Sequence, residues 1–171
     1  MDVVEVPSSG PRNAKPAGSP RSSWRRPAAV GAAAFWSANL VISWTPIAAG
    51  YRSALSITYV PMLVEAALGG LLLASVVALV LVRYPERVPD TGPLSRALWL
   101  SAAALVLLTV FVEVPSKLLS GVSDPGHWLF VATVFNVIRV LALGVAVGLV
   151  TRAGQAEAGP HSRVTERGGL S

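Results

Sequence analysis

Residues 127–151 read HWLFVATVFNVIRVLALGVAVGLVT, an almost uninterrupted apolar run with one arginine, Arg139, near its middle. At about 1.5 Å per residue, a helix of this length crosses the hydrocarbon core of a bilayer, which is about 30 Å thick. A guanidinium stays protonated in proteins and is costly in hydrocarbon. The run therefore predicts a transmembrane helix whose arginine needs polar partners from other segments.

The composition of the whole chain points to the same class of protein. Hydrophobic residues make up 53% of the 171 residues and charged residues only 13%, against about a quarter in soluble proteins. The chain has no cysteine and two histidines, which excludes disulfides and thiolate metal sites and makes a bis-histidine haem site improbable. We expect no metal site and no cofactor.

Three further apolar runs precede residues 127–151, and all four are continuous rather than alternating, as helices in lipid require. We predict an all-α fold, an integral membrane four-helix transmembrane bundle occupying residues 27–152. Its spans lie at about residues 27–49, 59–82, 94–114 and 127–151. The third span is expected to stop at Pro115, before one amphipathic turn on the membrane surface. The polar segments 1–26 and 153–171 are predicted to be disordered tails.

The basic residues predict how the chain is threaded. Eleven lie in the two tails and the loop between the second and third spans, whereas the other two loops carry only Arg52 and Lys117. The positive-inside rule then places both termini in the cytoplasm. Because these basic residues flank apolar runs, we expect no nucleic-acid partner. The scarcity of lysine among them is typical of a GC-rich bacterial genome, so the expected location is a bacterial plasma membrane.

Few polar residues interrupt the spans. Those inside are Asn39, Glu65, Asn136 and Arg139, and those at the outer boundary are Glu113 and His127. Counting from the outer ends of the spans places Glu65 roughly 9 Å deep, Asn136 roughly 12 Å and Arg139 roughly 16 Å. We therefore predict a Glu65–Arg139 ion pair between spans two and four. It would be a structural clip or part of an outward-facing pocket in which Glu65 binds a proton or cation.

Glycines in two of the spans are spaced for close helix packing. Gly69 and Gly70 lie in the second span, and Gly144 and Gly148 form a small-xxx-small pair in the fourth, on a face different from that of Arg139. Such a face can contact another helix of the same chain or a second copy. We predict that these glycines serve packing and do not bind a ligand.

The sequence contains no motif of a soluble enzyme, such as a phosphate-binding glycine loop, HExxH or GxSxG. We therefore expect a non-enzymatic membrane protein. The first hypothesis is an accessory or assembly component whose partners are the lipid bilayer and other membrane proteins or a homo-oligomer. The alternative is a small oligomeric transporter or proton-coupled carrier that uses Glu65. The first hypothesis predicts a satisfied Glu65–Arg139 pair without a cavity, and the second predicts a wet pocket at Glu65.

Overall fold

The computed structural model describes residues 24–84 and 92–158, and in these the chain is helical without any strand. The helices are α1 (Arg25–Ser43), α2 (Pro46–Ala54), α3 (Tyr59–Arg83), α4 (Pro93–Leu108), α5 (Val114–Leu119) and α6 (Pro125–Ala158), with a π-helical turn (Thr109–Glu113) between α4 and α5. The all-α prediction is confirmed. Most of the predicted tails, and residues 85–91 of the loop between spans two and three, lie outside the described residues.

Three helices are long and apolar enough to cross a membrane. They are α3, the continuous α4–α5 helix (Pro93–Leu119) and α6 over Pro125–Ala156. The pair α1 and α2 gives a fourth span only if the two helices, which are bent by 88°, count as one. Among the described residues the number of candidate spans is thus three or four, where the sequence predicted four continuous ones.

The first predicted span is broken at Thr45 and Pro46. Proline disfavours the helical conformation in the residue before it, and Thr45 is extended with ψ at 147°. The Thr45 hydroxyl accepts a hydrogen bond from the backbone N–H of Ala48 at 3.2 Å and so caps α2. The prediction of one helix over residues 27–49 is therefore wrong. Residues 50–54, which lie between the first two predicted spans, belong to α2.

The third predicted span differs in the opposite sense, because Pro115 does not end it. A proline inside a helix lacks an N–H group and clashes with the carbonyl four residues earlier. Here the π turn at Thr109–Glu113 widens the backbone immediately before Pro115, and the chain continues as α5 to Leu119. The segment predicted to lie on the membrane surface is thus a continuation of α4, and it points Lys117 into the protein.

The last helix is longer than the sequence predicted. It starts at Pro125, where the Asp124 carboxylate accepts a hydrogen bond from the backbone N–H of His127 at 3.1 Å, and it continues to Ala158. Residues 153–158, predicted as the start of a disordered tail, are helical. They extend α6 beyond its apolar part.

The helices pack in the order α3, α1, α6 and α4, and α3 and α4 contact each other much less than the other neighbours do. The first residues of α1 and the last residues of α6 lie at one end of the bundle, the tail end. The opposite end, here called the α2 end, carries α2, the start of α3, α5 and the start of α6. Contacts of Tyr51 on α2 with Trp128 on α6, and of Ser43 with Tyr59, hold these elements together.

The main core lies in the tail half of the bundle. Its buried residues are Phe35, Ala74, Val77, Leu81, Ala97, Val140, Leu143 and Val147. In α3 the buried residues begin only at Gly70, and in α4 they are confined to Ala97 and Ser101. Both helices thus pack tightly at the tail end and leave the core toward the α2 end.

Small residues determine where this close packing occurs. Gly148 of α6 lies so near α4 that a Cβ atom added there would be 2.8 Å from Cα of Leu94, and one added at Gly144 would be 2.7 Å from Oγ of Ser101. Gly70 of α3 faces the ring of Phe35 on α1 in the same way. The face of Gly144 and Gly148 is therefore covered by α4 of the same chain and not left for a second copy. Gly69, in contrast, has open space around it.

We expect Gly148→Ala to destabilise the bundle by about 1–3 kcal/mol, because the added methyl group meets the Leu94 backbone, which cannot rotate away. Gly69→Ala is the matched control, with no atom within 4 Å of the new methyl group. It should leave stability unchanged or raise it by about 0.5–1 kcal/mol through helix propensity. Thermal unfolding in detergent, followed by tryptophan fluorescence, measures both. Equal melting temperatures for the two variants would contradict the close α4–α6 contact.

Candidate functional site

A cavity of about 750 Å³ lies in the α2 half of the bundle, where α3 and α4 have left the core. Sites that bind small molecules have volumes of roughly 300–1,000 Å³. The side formed by α3, α4 and the π turn is apolar and includes Leu72, Leu73, Val76, Leu107, Leu108 and Phe111. Leu72, Leu107 and Phe111 are also exposed on the outside of the bundle, by 68%, 58% and 72%. The cavity therefore opens sideways between α3 and α4.

The cavity is also lined by most of the polar residues that the sequence singled out, and these come from several of the surrounding helices. Its polar lining includes Asn39, Glu65, Glu113, Lys117, Asn136 and Arg139. The structure thus brings together all four predicted intramembrane residues, and adds Glu113 from the predicted outer boundary.

Four of these residues form a hydrogen-bonded chain from α6 to α5. Arg139 Nη1 donates to Oδ1 of Asn136 at 3.3 Å, and Asn136 Nδ2 donates to Oε1 of Glu113 at 2.8 Å. The other carboxylate oxygen of Glu113 lies 3.3 Å from Nζ of Lys117. Only this orientation of the buried amide turns its oxygen toward the guanidinium and its NH₂ group toward the carboxylate. Asn136 therefore connects the Glu113 carboxylate to the Arg139 guanidinium through two hydrogen bonds.

The Glu65–Arg139 ion pair predicted from the sequence is not present in the structure. Within the described residues, Arg139 has no carboxylate oxygen within 4.0 Å, and its charge is met only through Asn136. Its Nε is buried without a hydrogen-bond partner, and the Phe135 ring centroid lies 5.9 Å from its Cζ. Counting residues along each span predicts how deep a residue lies in the membrane, but not toward which neighbouring helix its side chain points. Because α3 leaves the core toward the α2 end, Glu65 is carried away from α6.

Glu65 lies at the rim of the cavity. It lines the cavity and also a shallow apolar groove on the outer face of α3, next to Val64 and Leu68. The residue is exposed, and none of the described residues hydrogen-bonds to its carboxylate or forms an ion pair with it. The carboxylate is therefore free to interact with something other than this chain.

Asn39 is the most deeply buried polar group of the site. The residue is 1% exposed, and neither the nitrogen nor the oxygen of its amide has a hydrogen-bond partner. Leaving a buried polar group without a partner costs about 1–3 kcal/mol. Asn39 lines the cavity from α1. Its donor and its acceptor are thus unused by the protein, and both atoms are buried in this structure.

Sequence reasoning missed two residues of the site, Lys117 and Tyr51. The Lys117 side chain is 8% exposed, and its Nζ lies 3.3 Å from Glu113 and 5.1 Å from the centroid of the Tyr51 ring. The four-residue spacing between Glu113 and Lys117 was a usable signal, but Pro115 between them argued against a helix. The Tyr51 ring, which lies between the first two predicted spans, packs edge-on against Trp128 and Phe135.

Among the remaining predicted residues, Gly69 lines the cavity, and His127 and the other three glycines do not. His127 is exposed, does not line the cavity and has its ring 4.7 Å from that of Trp128. Gly69 lines the cavity beside Glu65, whereas Gly70, Gly144 and Gly148 are buried against neighbouring helices. In the part of the chain that the structure describes, no three histidine or acidic side chains are grouped so that they could hold a metal ion.

Comparison with protein-family models, curated proteins and solved structures finds no match for this chain. Within residues 24–84 and 92–158, the fold and site define an all-helical protein with three or four helices apolar enough to span a membrane and a cavity of mixed apolar and polar lining between them.

We expect Glu113→Gln to destabilise the protein by about 1–3 kcal/mol, because Lys117 and Arg139 then share a buried region without an acid. The double variant Glu113→Gln with Lys117→Gln should recover part of this loss, since it removes the stranded ammonium as well. A double-mutant cycle of unfolding free energies in detergent measures the coupling. Strictly additive losses would show that the two side chains do not form an energetic pair.

Proposed function

We propose that this protein is a small multi-pass membrane protein that binds an amphipathic small molecule in the cavity between α3 and α4, as a carrier or receptor for that molecule. The observation that carries the proposal is a cavity of ligand size whose lining includes polar residues without partners in the protein. The Asn39 amide has no partner, and neither does the Glu65 carboxylate at the rim, among the described residues. Buried polar atoms without partners are rare in folded proteins, and a ligand with complementary groups would satisfy them.

The two hypotheses drawn from the sequence differ in what they require of this region. The accessory-component hypothesis requires a mutually satisfied Glu65–Arg139 pair and no cavity. Among the described residues the two side chains do not pair, and a cavity lies beside them. The carrier hypothesis requires a cavity at Glu65. We therefore favour ligand binding and rank the accessory component second. The proposed function is non-enzymatic, in keeping with the absence of soluble-enzyme motifs from the sequence.

For the membrane arrangement we propose four spans, with the bent pair α1–α2 as the first. In this arrangement α1 crosses most of the bilayer and α2 lies near the outer surface, with Trp44 exposed at the bend. The described arginines at the tail end are Arg25, Arg26, Arg83, Arg96 and Arg152. They support an orientation with both termini in the cytoplasm of a bacterial cell, and the cavity then lies in the outer half of the plasma membrane.

The orientation can be tested with single cysteines, because the chain contains none. We expect Ser53→Cys, exposed on α2, to react with a membrane-impermeant maleimide in intact bacterial cells expressing the full chain. Ala153→Cys, exposed on α6 beyond its apolar part, should react only after the cells are permeabilised. Labelling in the reverse order would show that the termini lie outside.

Ligand binding can be tested by filling the cavity. Ala104 lines the cavity on α4, whereas Ala102 is exposed on the opposite face of the same helix. We expect the full chain in a maltoside detergent to bind one single-chain amphiphile, read by native mass spectrometry. The test mixture contains zwitterionic, anionic, cationic and uncharged headgroups on chains of equal length.

In this experiment Ala104→Trp should abolish the one-to-one complex, and Ala102→Trp, which adds the same bulk outside, should retain it. Equal loss in both variants, or no complex with any member of the mixture, would overturn ligand binding in this cavity. A stoichiometric protein partner that stays bound after extraction from native membranes, together with an absence of amphiphile binding, would instead support the accessory-component hypothesis.

A further inference from the structure

The charges around the cavity are not all used by the protein itself. Lys117 and Glu113 neutralise each other at 3.3 Å. Arg52 donates from Nη1 to the backbone oxygen of Ser43 at 3.1 Å and stacks over the Tyr59 ring, 5.1 Å from its centroid. Its guanidinium therefore binds the last carbonyl group of α1. Because Glu113 contacts Lys117 directly and Arg139 only through Asn136, one positive charge in excess is left at Arg139 on α6, and the Glu65 carboxylate on α3 has no partner among the described residues. They are opposite in sign and line one cavity from different helices.

These two charges restrict which ligand the cavity can hold. A purely anionic head placed against Arg139 would also face the Glu65 carboxylate, and a purely cationic head at Glu65 would face the guanidinium. Such like-charge contacts are unfavourable, and more so where apolar side chains line the site. A head group that carries both charges can place its anionic part near Arg139 and its cationic part near Glu65. The two wall charges do not pair with each other within 4.0 Å, so both stay available to such a head.

The position of the remaining groups adds an orientation. Arg139 lies on the deep side of the cavity, together with the unpartnered Asn39 amide, while Glu65 lies at the rim. An anionic group would therefore lie deeper than the cationic group. Leu72, Leu107 and Phe111 form an apolar exit between α3 and α4, which suits a hydrocarbon chain.

We propose that the ligand is a zwitterionic amphiphile with a phosphate or carboxylate held by Arg139, an ammonium group held by Glu65, and an apolar chain that leaves between α3 and α4. This proposal rests on the proposed function, since it names the chemical class bound in the same cavity. The zwitterionic head could belong to a membrane lipid or to a water-soluble molecule. The apolar exit favours the lipid.

The experiment compares four probes that have the same 14-carbon hydrocarbon chain. Each is titrated into the 171-residue protein in maltoside detergent, and binding is read by native mass spectrometry. They are lysophosphatidylethanolamine, lysophosphatidic acid, tetradecylammonium and an uncharged monoacylglycerol. We expect the zwitterionic probe to bind roughly 10- to 100-fold more tightly than each of the others, as one additional charged contact would give. Glycerophosphoethanolamine, which has the same head without a chain, should not compete at equal concentration, and effective competition would overturn the assignment to a lipid.

Exchanging one wall charge at a time should change the preferred headgroup. Glu65→Gln should bind lysophosphatidic acid at least as well as the zwitterion, and Arg139→Gln should favour tetradecylammonium. Arg152→Gln, which removes an exposed arginine on α6 far from the cavity, is the charge-matched control and should keep the original order. Because Glu65 is exposed, its variant should fold even if the arginine variant does not.

The outcomes separate the two proposals. If no probe binds, the proposed function itself fails. If a probe binds and is excluded by Ala104→Trp, but the wild type shows no preference for the zwitterion, ligand binding stands and the zwitterionic class is wrong. An unchanged headgroup order in Glu65→Gln would likewise overturn the role of this carboxylate.

Discussion

The permanent charge of Arg139 is the constraint on which the α2 half of the bundle depends. A guanidinium in an apolar helix cannot be neutralised by losing its proton, so the chain must supply an acceptor at its depth. The acceptor is Asn136, one turn away on the same helix, and its NH₂ group in turn needs an acceptor of its own. The Glu113 carboxylate is that acceptor. The arginine thereby determines how α4 and α5 must approach α6.

A second constraint decides where the helices touch. Between helices in lipid there is little hydrophobic driving force, so close contact depends on residues small enough to let backbones approach. Gly144, Gly148 and Ala97 provide this between α6 and α4, and Gly70 and Ala74 provide it for α3. Toward the α2 end, α3 and α4 have no buried residues, although Ala66, Gly69 and Ala104 are small. The bundle therefore has a tightly packed half and an open half, and the polar chain from Arg139 lies in the open one.

Much of this could be predicted from the sequence, because composition and helical period determine helix class and approximate span positions. The polar residues facing the cavity were also identifiable, since ionisable groups in apolar runs are few. Local backbone chemistry was harder to read: Pro46 broke a helix that hydropathy treated as one, and the π turn let a helix pass Pro115. The pairing of Arg139 with Asn136 and Glu113 rather than Glu65 depends on helix rotation and tilt, which residue counting does not provide.

The π turn has a consequence for how sequences related to this one could vary in length. Such a turn accommodates one residue more than an α-helix over the same rise. Losing a single residue from 109–112 would therefore restore regular α-helical winding and leave Glu113 and Lys117 in nearly the same rotational position relative to α4. A one-residue deletion within Pro93–Leu108, where no π turn absorbs the change, would instead rotate everything beyond it by about 100° and carry both charges away from the cavity together. A deletion in the loop before α4 would leave them in place.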